Sequence, residues 1–243
     1  MPLDILYQDQ HYIAVHKPAG LLVHRTNLAQ GEDQAALQIL RDQIGDRVYP
    51  VHRLDRPTSG ALIFALSPTA ARSMSLSIRE KQVSKKYVAI VRGHLHKEVH
   101  LNYPLKESLD KISDKKAQAE KPAQAAETYF RPLAHIELPF AVDRYPTSRY
   151  SLIEAQPVTG RKHQIRKHLK HLSHPIVGDV NHGNGKHNQF FAKHFGIQRL
   201  MLACTEISFT HPVDHRPILI RCPVANDLHH LIQTLPWNHL VTT

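Results

Sequence analysis

The chain has 243 residues, 42% apolar and 21% charged, which supports a buried core and argues against disorder. Thirty-one Lys and Arg against 21 Asp and Glu leave a formal net charge of +10, favouring a polyanionic partner, while 7% aromatics argue against a stacking platform for many single-stranded bases. Two cysteines exclude a disulfide framework and a zinc ribbon, no apolar run is long enough to cross a membrane, and the opening MPLDILYQDQHY does not read as a signal peptide, so a cytoplasmic protein is expected.

Taken in chain order, alternating apolar and polar residues at 4–7 and 12–15 predict two strands joined by a short polar stretch, followed by a turn at Lys17-Pro18-Ala19-Gly20. Ala36, Leu37, Leu40 and Ile44 fall at helical spacing, and Gly45 supplies the stop of a helix over 35–44. A turn-rich stretch then leads into a buried strand over 61–66, and Ser67-Pro68 opens a helix running to about residue 81. Residues 85–92 predict a strand buried on both sides. From 105 to 123 the chain is polar and rich in lysine (Lys111, Lys115, Lys116, Lys121), the pattern of an exposed basic loop that orders on RNA.

Strands are expected again at 127–136, 149–156 and 200–209. Helices are expected at 161–172, opened by Thr159-Gly160, at 189–195, and as a capped terminal helix at 226–235 stopped by Pro236. Residues 178–185 hold three glycines and read as a turn-rich loop. Strands and helices interleave without a strict strand-helix-strand rhythm, so the fold class is α+β, with a mixed, largely antiparallel sheet flanked by helices around a central cleft. No internal repeat or separate module is evident, and 1–243 is expected to be a single catalytic domain.

The chain carries 20 histidines, and His168, His171 and His174 could share one helix face. Pro175 ends that segment, and no Cys or carboxylate completes a familiar ligand pattern, so no metal is expected.

The most informative stretch is His52-Arg53-Leu54-Asp55-Arg56-Pro57-Thr58-Ser59-Gly60. A carboxylate between two arginines, in a tight turn just before a buried strand, is held ionised and aimed. Alone, the same pattern also fits an Asp that caps the turn and pairs with an arginine. The whole string resembles the H-R-L-D-x-x-T-S-G signature of the RluA-type pseudouridine synthases and matches it at each fixed position. Three further stretches resemble that family: Lys17-Pro18-Ala19-Gly20, Lys85-Lys86-Tyr87-Val88-Ala89, and Thr159-Gly160-Arg161-Lys162-His163-Gln164-Ile165-Arg166 followed by His174-Pro175-Ile176-Val177-Gly178-Asp179.

The resemblance implies a pseudouridine synthase fold and an isomerisation that breaks C1′–N1, turns the uracil and joins C5 to C1′. That chemistry needs neither redox equivalents nor an energy source, so no cofactor is expected. Asp55 is implied as the catalytic residue, either as nucleophile or as the base and stabiliser of a glycal-type route. Arg53 is implied to enter the stack vacated by the flipped base, Tyr87 to pack on the uracil and help remove a proton, and Arg166 to pair with the catalytic Asp. An ion pair between Arg53 and Asp55 is the plainer alternative for Arg53, as a core position is for Tyr87.

On the predicted helix, Lys162, Arg166 and Lys170 lie four apart, as do His163 and Lys167, giving a basic stripe suited to phosphates while Ile165, Leu169 and Leu172 face the core. Arg56, Lys162, His163 and Lys170 are therefore the expected RNA contacts. Leu21-Leu22-Val23-His24-Arg25, the segment 101–116 and Arg144-Tyr145-Pro146-Thr147-Ser148-Arg149-Tyr150 are similar to a subgroup that modifies the uridine at tRNA position 65. No basic RNA-binding module of the kind that several ribosomal RNA relatives carry ahead of the catalytic domain is expected, which favours tRNA. The expected partner is tRNA or another structured RNA, with no membrane, and a monomer is the default. The alternatives are a ribosomal RNA uridine, or a non-catalytic RNA-binding factor, whose loss of chemistry would show first at Asp55.

Overall fold

The computed structural model describes residues 1–24, 34–106 and 122–239. Most of the expected basic loop, with Lys111, Lys115, Lys116 and Lys121, lies outside the described residues, as do Arg25 and residues 107–116 of the segment 101–116.

The first hairpin pairs β1 (Ile5–Gln8) with β2 (Tyr12–Lys17), and its turn is held by the Asp9 carboxylate, which accepts from the His11 and Tyr12 N–H groups at 2.7 Å each. Helix α1 (Ala36–Ile44) ends at Gly45, which takes φ of 72° and donates its N–H to the Arg41 carbonyl. Short β3 (Tyr49–Pro50) leads to the loop carrying Asp55 and then to β4 (Ser59–Ala65), buried at every position. Ser67 caps α2 (Pro68–Arg79) by accepting from the Ala70 N–H.

There follow β5 (Val83–Arg92), β6 (Val99–Asn102), β7 (Glu127–Leu138), β8 (Ser148–Pro157), α3 (Gln164–His171), α4 (Gly185–Phe195), β9 (Leu202–Thr210), β10 (Pro217–Arg221), α5 (Asn226–Thr234) and β11 (Asn238–His239). All the strands belong to one sheet ordered β1-β2-β4-β9-β5-β8-β7-β11, with β3 beside β4, β6 beside β7 and β10 beside β9. Among the described residues only β4 and β9 run parallel; the other pairs are antiparallel. The expected α+β class with a mixed, largely antiparallel sheet is what forms.

Where β4 meets β9, Gly60 has φ of 118°, and a Cβ there would lie 2.2 Å from the Cys204 carbonyl oxygen. Only glycine permits this contact, which brings the Asp55 loop against the strand that also borders β5. Four differences from the sequence reading have local causes. Strands β3, β6, β10 and β11 are short pieces that borrow their conformation from longer neighbours. Helix α3 starts at Gln164, not 161, because His163 sits in the left-handed region with φ of 57°. Helix α4 begins at Gly185, with the Asn184 side chain accepting from the Lys186 and His187 N–H groups. Helix α5 has Ala225 at its N-cap, so it lacks a side-chain cap. No helix among the described residues is long and apolar enough to cross a membrane.

Candidate active site

The Asp55 loop is tied down from beneath by Lys17, which is fully buried at the end of β2. Its ammonium donates to the carbonyls of Pro18 (2.8 Å), Leu21 (2.8 Å) and Arg56 (3.1 Å), joining the Lys17-Pro18-Ala19-Gly20 turn to the Asp55 loop. The same seam is closed by the Gly20 N–H to the Arg56 carbonyl (2.8 Å) and the Arg56 Nε to the Gly20 carbonyl (2.9 Å). His52 accepts the Ile63 N–H at Nε2, and burial pushes its pKa down to about 3, so the ring is neutral. Within the loop the Thr58 N–H bonds the Asp55 carbonyl and closes a tight turn.

This turn brings Asp55 to α3. Arg166 Nη1 lies 3.1 Å from Asp55 Oδ2, while Arg166 Nε and Nη2 bind Asp179 Oδ2 and Oδ1 at 2.7 and 2.8 Å. The Asp179 carboxylate also accepts the Asn181 and His182 N–H groups. Burial works to raise the Asp179 carboxyl, but Arg166 and these N–H groups outweigh it and hold it below the usual carboxylate range. Burial likewise opposes the Arg166 charge and is outweighed by Asp179 and Asp55. Arg166 is thus a fully desolvated fork, fixed by one carboxylate and presenting its remaining nitrogen to another.

Asp55 keeps 18% of its side chain exposed, facing a pocket of about 330 Å³ whose lining includes Tyr87, Lys85, Thr58 and Leu202. Tyr87, on β5, is 7% exposed and pairs across the ladder with Cys204. Burial, then Cys204 and Asp55, push its phenol well above its ordinary value, so it stays protonated. A rigid carboxylate beside a buried phenol, in a cavity roomy enough for a small polar group and its attached sugar, is arranged to act on one moiety inserted from solution.

Residues 11–171 match the RNA pseudouridylate synthase family. The chain belongs to that family. It is 51% identical to the tRNA pseudouridine synthase C of Vibrio cholerae over 97% of this chain and 96% of that one, and 52% identical to the protein of the same name from Pasteurella multocida over 98% of each. Among solved structures, human RNA pseudouridylate synthase domain containing 1 superposes with a TM-score of 0.72 at 24% identity, covering 98% of this chain and 89% of that one. Human RNA pseudouridylate synthase domain containing 4 gives the same score and identity, over 97% and 94%. These two likenesses concern the fold.

For this family member, the other residues singled out in the sequence fall into place as follows. Arg53 is exposed at the pocket mouth and makes no ion pair among the described residues, so it is not the partner of Asp55. Arg56 is exposed, with its Nε engaged by the Gly20 carbonyl, and it braces the turn. The expected basic stripe on α3 does not form. Lys162 and His163 precede the helix, Arg166 is buried against two carboxylates, and Lys167 donates to the Lys106 carbonyl at 2.8 Å, leaving Lys170 exposed on the helix itself.

His163 lies 3.9 Å from Asp55 through Nε2 and 3.0 Å from His182 through Nδ1. Burial pushes its pKa down to about 4, against the opposing pull of Asp55, so the ring is neutral in the wall of the pocket. The histidines considered as metal ligands have other partners. His168 bonds Thr128 Oγ1 (2.9 Å) and the Tyr103 carbonyl (3.0 Å), His171 stacks on Tyr103, and His174 bonds the Arg92 carbonyl.

Sequence reasoning assigned no role to Asp179, Lys17, Lys85 or Gln164. Gln164 locks the approach to α3 by accepting from Thr159 Oγ1 and the Arg161 N–H while donating to the Glu127 carbonyl and Thr128 Oγ1. The available signal was position alone: all four sit in the stretches that resemble the family, and only the structure supplies their partners.

Proposed function

We propose that the chain converts a specific uridine of tRNA to pseudouridine, with Asp55 as the essential residue. Supporting this are the relatives from Vibrio cholerae and Pasteurella multocida, which bear the name tRNA pseudouridine synthase C and align along almost the whole chain. The observation that carries it is the Asp55 carboxylate: Oδ2 is held by Arg166, and the group opens onto a pocket closed by Tyr87. The target we assign is the uridine at position 65, in the acceptor and T-stem region, on the sequence resemblance described above.

Arg53, uncommitted at the mouth, enters the stack as the uridine turns out, offsetting the few kcal/mol that extrusion costs. The flipped base lies against Tyr87, whose protonated phenol serves as stacking wall and hydrogen-bond donor and not as a standing base. Asp55 then faces the anomeric carbon. Attack on C1′ and the glycal-type route both begin from this same carboxylate, and Arg166 keeps it aimed through either. Apolar walls from Leu54, Ile165 and Leu202 keep water from the opened sugar. Lys162 and Lys170 are assigned to phosphates around the mouth. The continuous sheet supports reading 1–243 as one catalytic domain, and a tRNA substrate points to the cytoplasm as its working compartment.

The test is incubation of the purified protein and Asp55→Asn with unmodified tRNA and ribosomal RNA transcripts, without added cofactor, followed by carbodiimide mapping. Conversion of a single tRNA uridine by the wild type alone is expected. Product from Asp55→Asn overturns the role of Asp55, and conversion confined to ribosomal RNA overturns the tRNA assignment.

A further inference from the structure

Among the described residues, Lys85 has no anionic partner. It stands two residues before Tyr87 on β5, and both line the pocket onto which Asp55 opens. Its neighbour Lys86 has Glu206 at 3.0 Å, whereas Lys85 makes no hydrogen bond or ion pair among the described residues. The charged or titratable side chains acting on it most closely are no substitute for an anion. The Cys204 thiol is pushed up to about 12 by burial, the Tyr87 phenol is held protonated, and His52, which feels the Lys85 charge, is neutral. Burial presses the Lys85 ammonium below its ordinary value as well.

A half-buried ammonium with no anion bonded to it costs stability that a purely structural position would relieve with an apolar side chain. The reaction assigned above supplies what is missing. When C1′–N1 breaks, the bond pair stays on N1 and spreads over the two carbonyl oxygens of the uracil ring, while positive character develops at C1′. Asp55 meets the sugar, and the departing base needs a cation in the same closed space.

We propose that Lys85 is a further catalytic residue, donating a hydrogen bond from its ammonium to a carbonyl oxygen of the uracil as the glycosidic bond breaks and holding the detached base anion until C5 meets C1′. No proton is transferred in this step: the ammonium keeps its three hydrogens, and the negative charge is consumed when C5 bonds the sugar. A fixed donor aimed at charge that develops only in the transition state accelerates the chemistry and leaves ground-state binding almost untouched. The inference rests on the pseudouridine synthase reading.

The experiment compares wild type, Lys85→Met, Lys85→Gln and Lys85→Arg in single-turnover assays at saturating tRNA transcript, with tRNA Kd and thermal midpoint measured for each. Single turnover separates the chemical step from product release. Lys85→Met and Lys85→Gln are expected to react about 100-fold slower with Kd within about twofold, and Lys85→Arg to stay within about tenfold of wild type. If Lys85→Met does not fold, Lys85→Gln carries the same expectation.

A folded uncharged variant with a rate within about threefold of wild type overturns the proposal. So does a rate left intact with Kd weakened about tenfold, which would make Lys85 a phosphate contact, and so does a Lys85→Arg as slow as Lys85→Met. Failure of the wild type to convert any tRNA uridine is a separate result, which removes the parent reading and this inference with it.

Discussion

Arg166 binds Asp179 with two of its nitrogens and Asp55 with the third, so the carboxylate that reaches the pocket is positioned by a fully buried one. The pairing with Asp179 fixes the plane of the guanidinium, and that plane fixes where Asp55 Oδ2 sits. Removing Asp179 therefore acts on Asp55 at one remove.

Asp179→Asn should leave Arg166 with a single carboxylate partner in a desolvated position. Breaking a buried pair by neutralising one member costs about 3–5 kcal/mol of stability. We expect a matching fall in unfolding free energy by denaturant titration. In the protein that remains folded, the single-turnover rate should drop by about tenfold to 100-fold, since a misaimed catalytic group costs on that order. A rate unchanged in the folded variant would show that Asp179 does not position Asp55.

The same carboxylate predicts an acid limb. Its pKa is held below 3.8 in the folded chain, so its contribution is present at pH above 3.8 and is lost as pH falls through the depressed folded value. Wild-type stability should decline through this contribution below about pH 4, and in Asp179→Asn that component of the slope should be missing.

His163 makes a prediction of the same sign in a higher pH window. Its folded pKa of about 4 lies below the ordinary 6.5, so the unfolded chain binds the proton first, and the folded state loses stability as pH falls from 6.5 towards 4. Imidazole NMR should find the His163 ring neutral and non-titrating between pH 5 and 8. A His163 titration near 6.5 would contradict the burial that keeps it uncharged beside Asp55.

Lys17→Met should remove three hydrogen bonds at once and leave the carbonyls of Pro18, Leu21 and Arg56 without their shared donor. The Arg56 carbonyl keeps the Gly20 N–H, so the cost falls on the Pro18 and Leu21 carbonyls, and with about 1–3 kcal/mol for a buried carbonyl left unpaired a loss of a few kcal/mol is expected in denaturant unfolding. Because the loop they hold carries Asp55, partially folded preparations should lose activity before they lose tRNA binding.

Lys170→Ala should separate phosphate contact from catalysis. Lys170 is exposed on α3 away from the buried fork, so stability should be nearly unchanged. The slope of log K against log salt for tRNA binding should fall by roughly 0.7–0.9, the amount one neutralised phosphate contributes. An unchanged slope would take Lys170 off the RNA surface.

The residues legible from sequence are those whose neighbours in the chain announce them. Asp55 stands in an unbroken nine-residue signature, and the helix ends at Gly45 and Ser67 follow from the one glycine and one serine that fit them. The amphipathic reading of the segment from 161 failed for a physical reason: periodicity treats every cation as solvent-facing, and Arg166 is a cation whose best solvation is two carboxylates outside its own helix, one 13 and one 111 residues away. His163 departs from the helical reading, since its own left-handed backbone places it ahead of the helix and in the pocket wall. Arg53 posed a choice that only coordinates resolve, because pairing with Asp55 and standing free at the mouth have the same local sequence.

By itself, then, the sequence determined the fold class, the family and the identity of the carboxylate, because these depend on short-range pattern and on motifs that occupy contiguous positions. The tertiary structure alone decided how Asp55 and Asp179 share one arginine, which cations are buried and which are exposed, and that Lys85 lines the pocket with no anion bonded to it among the described residues. Those are relations between residues up to 111 positions apart, and their energetics depend on desolvation, which exists only once the chain has closed around them.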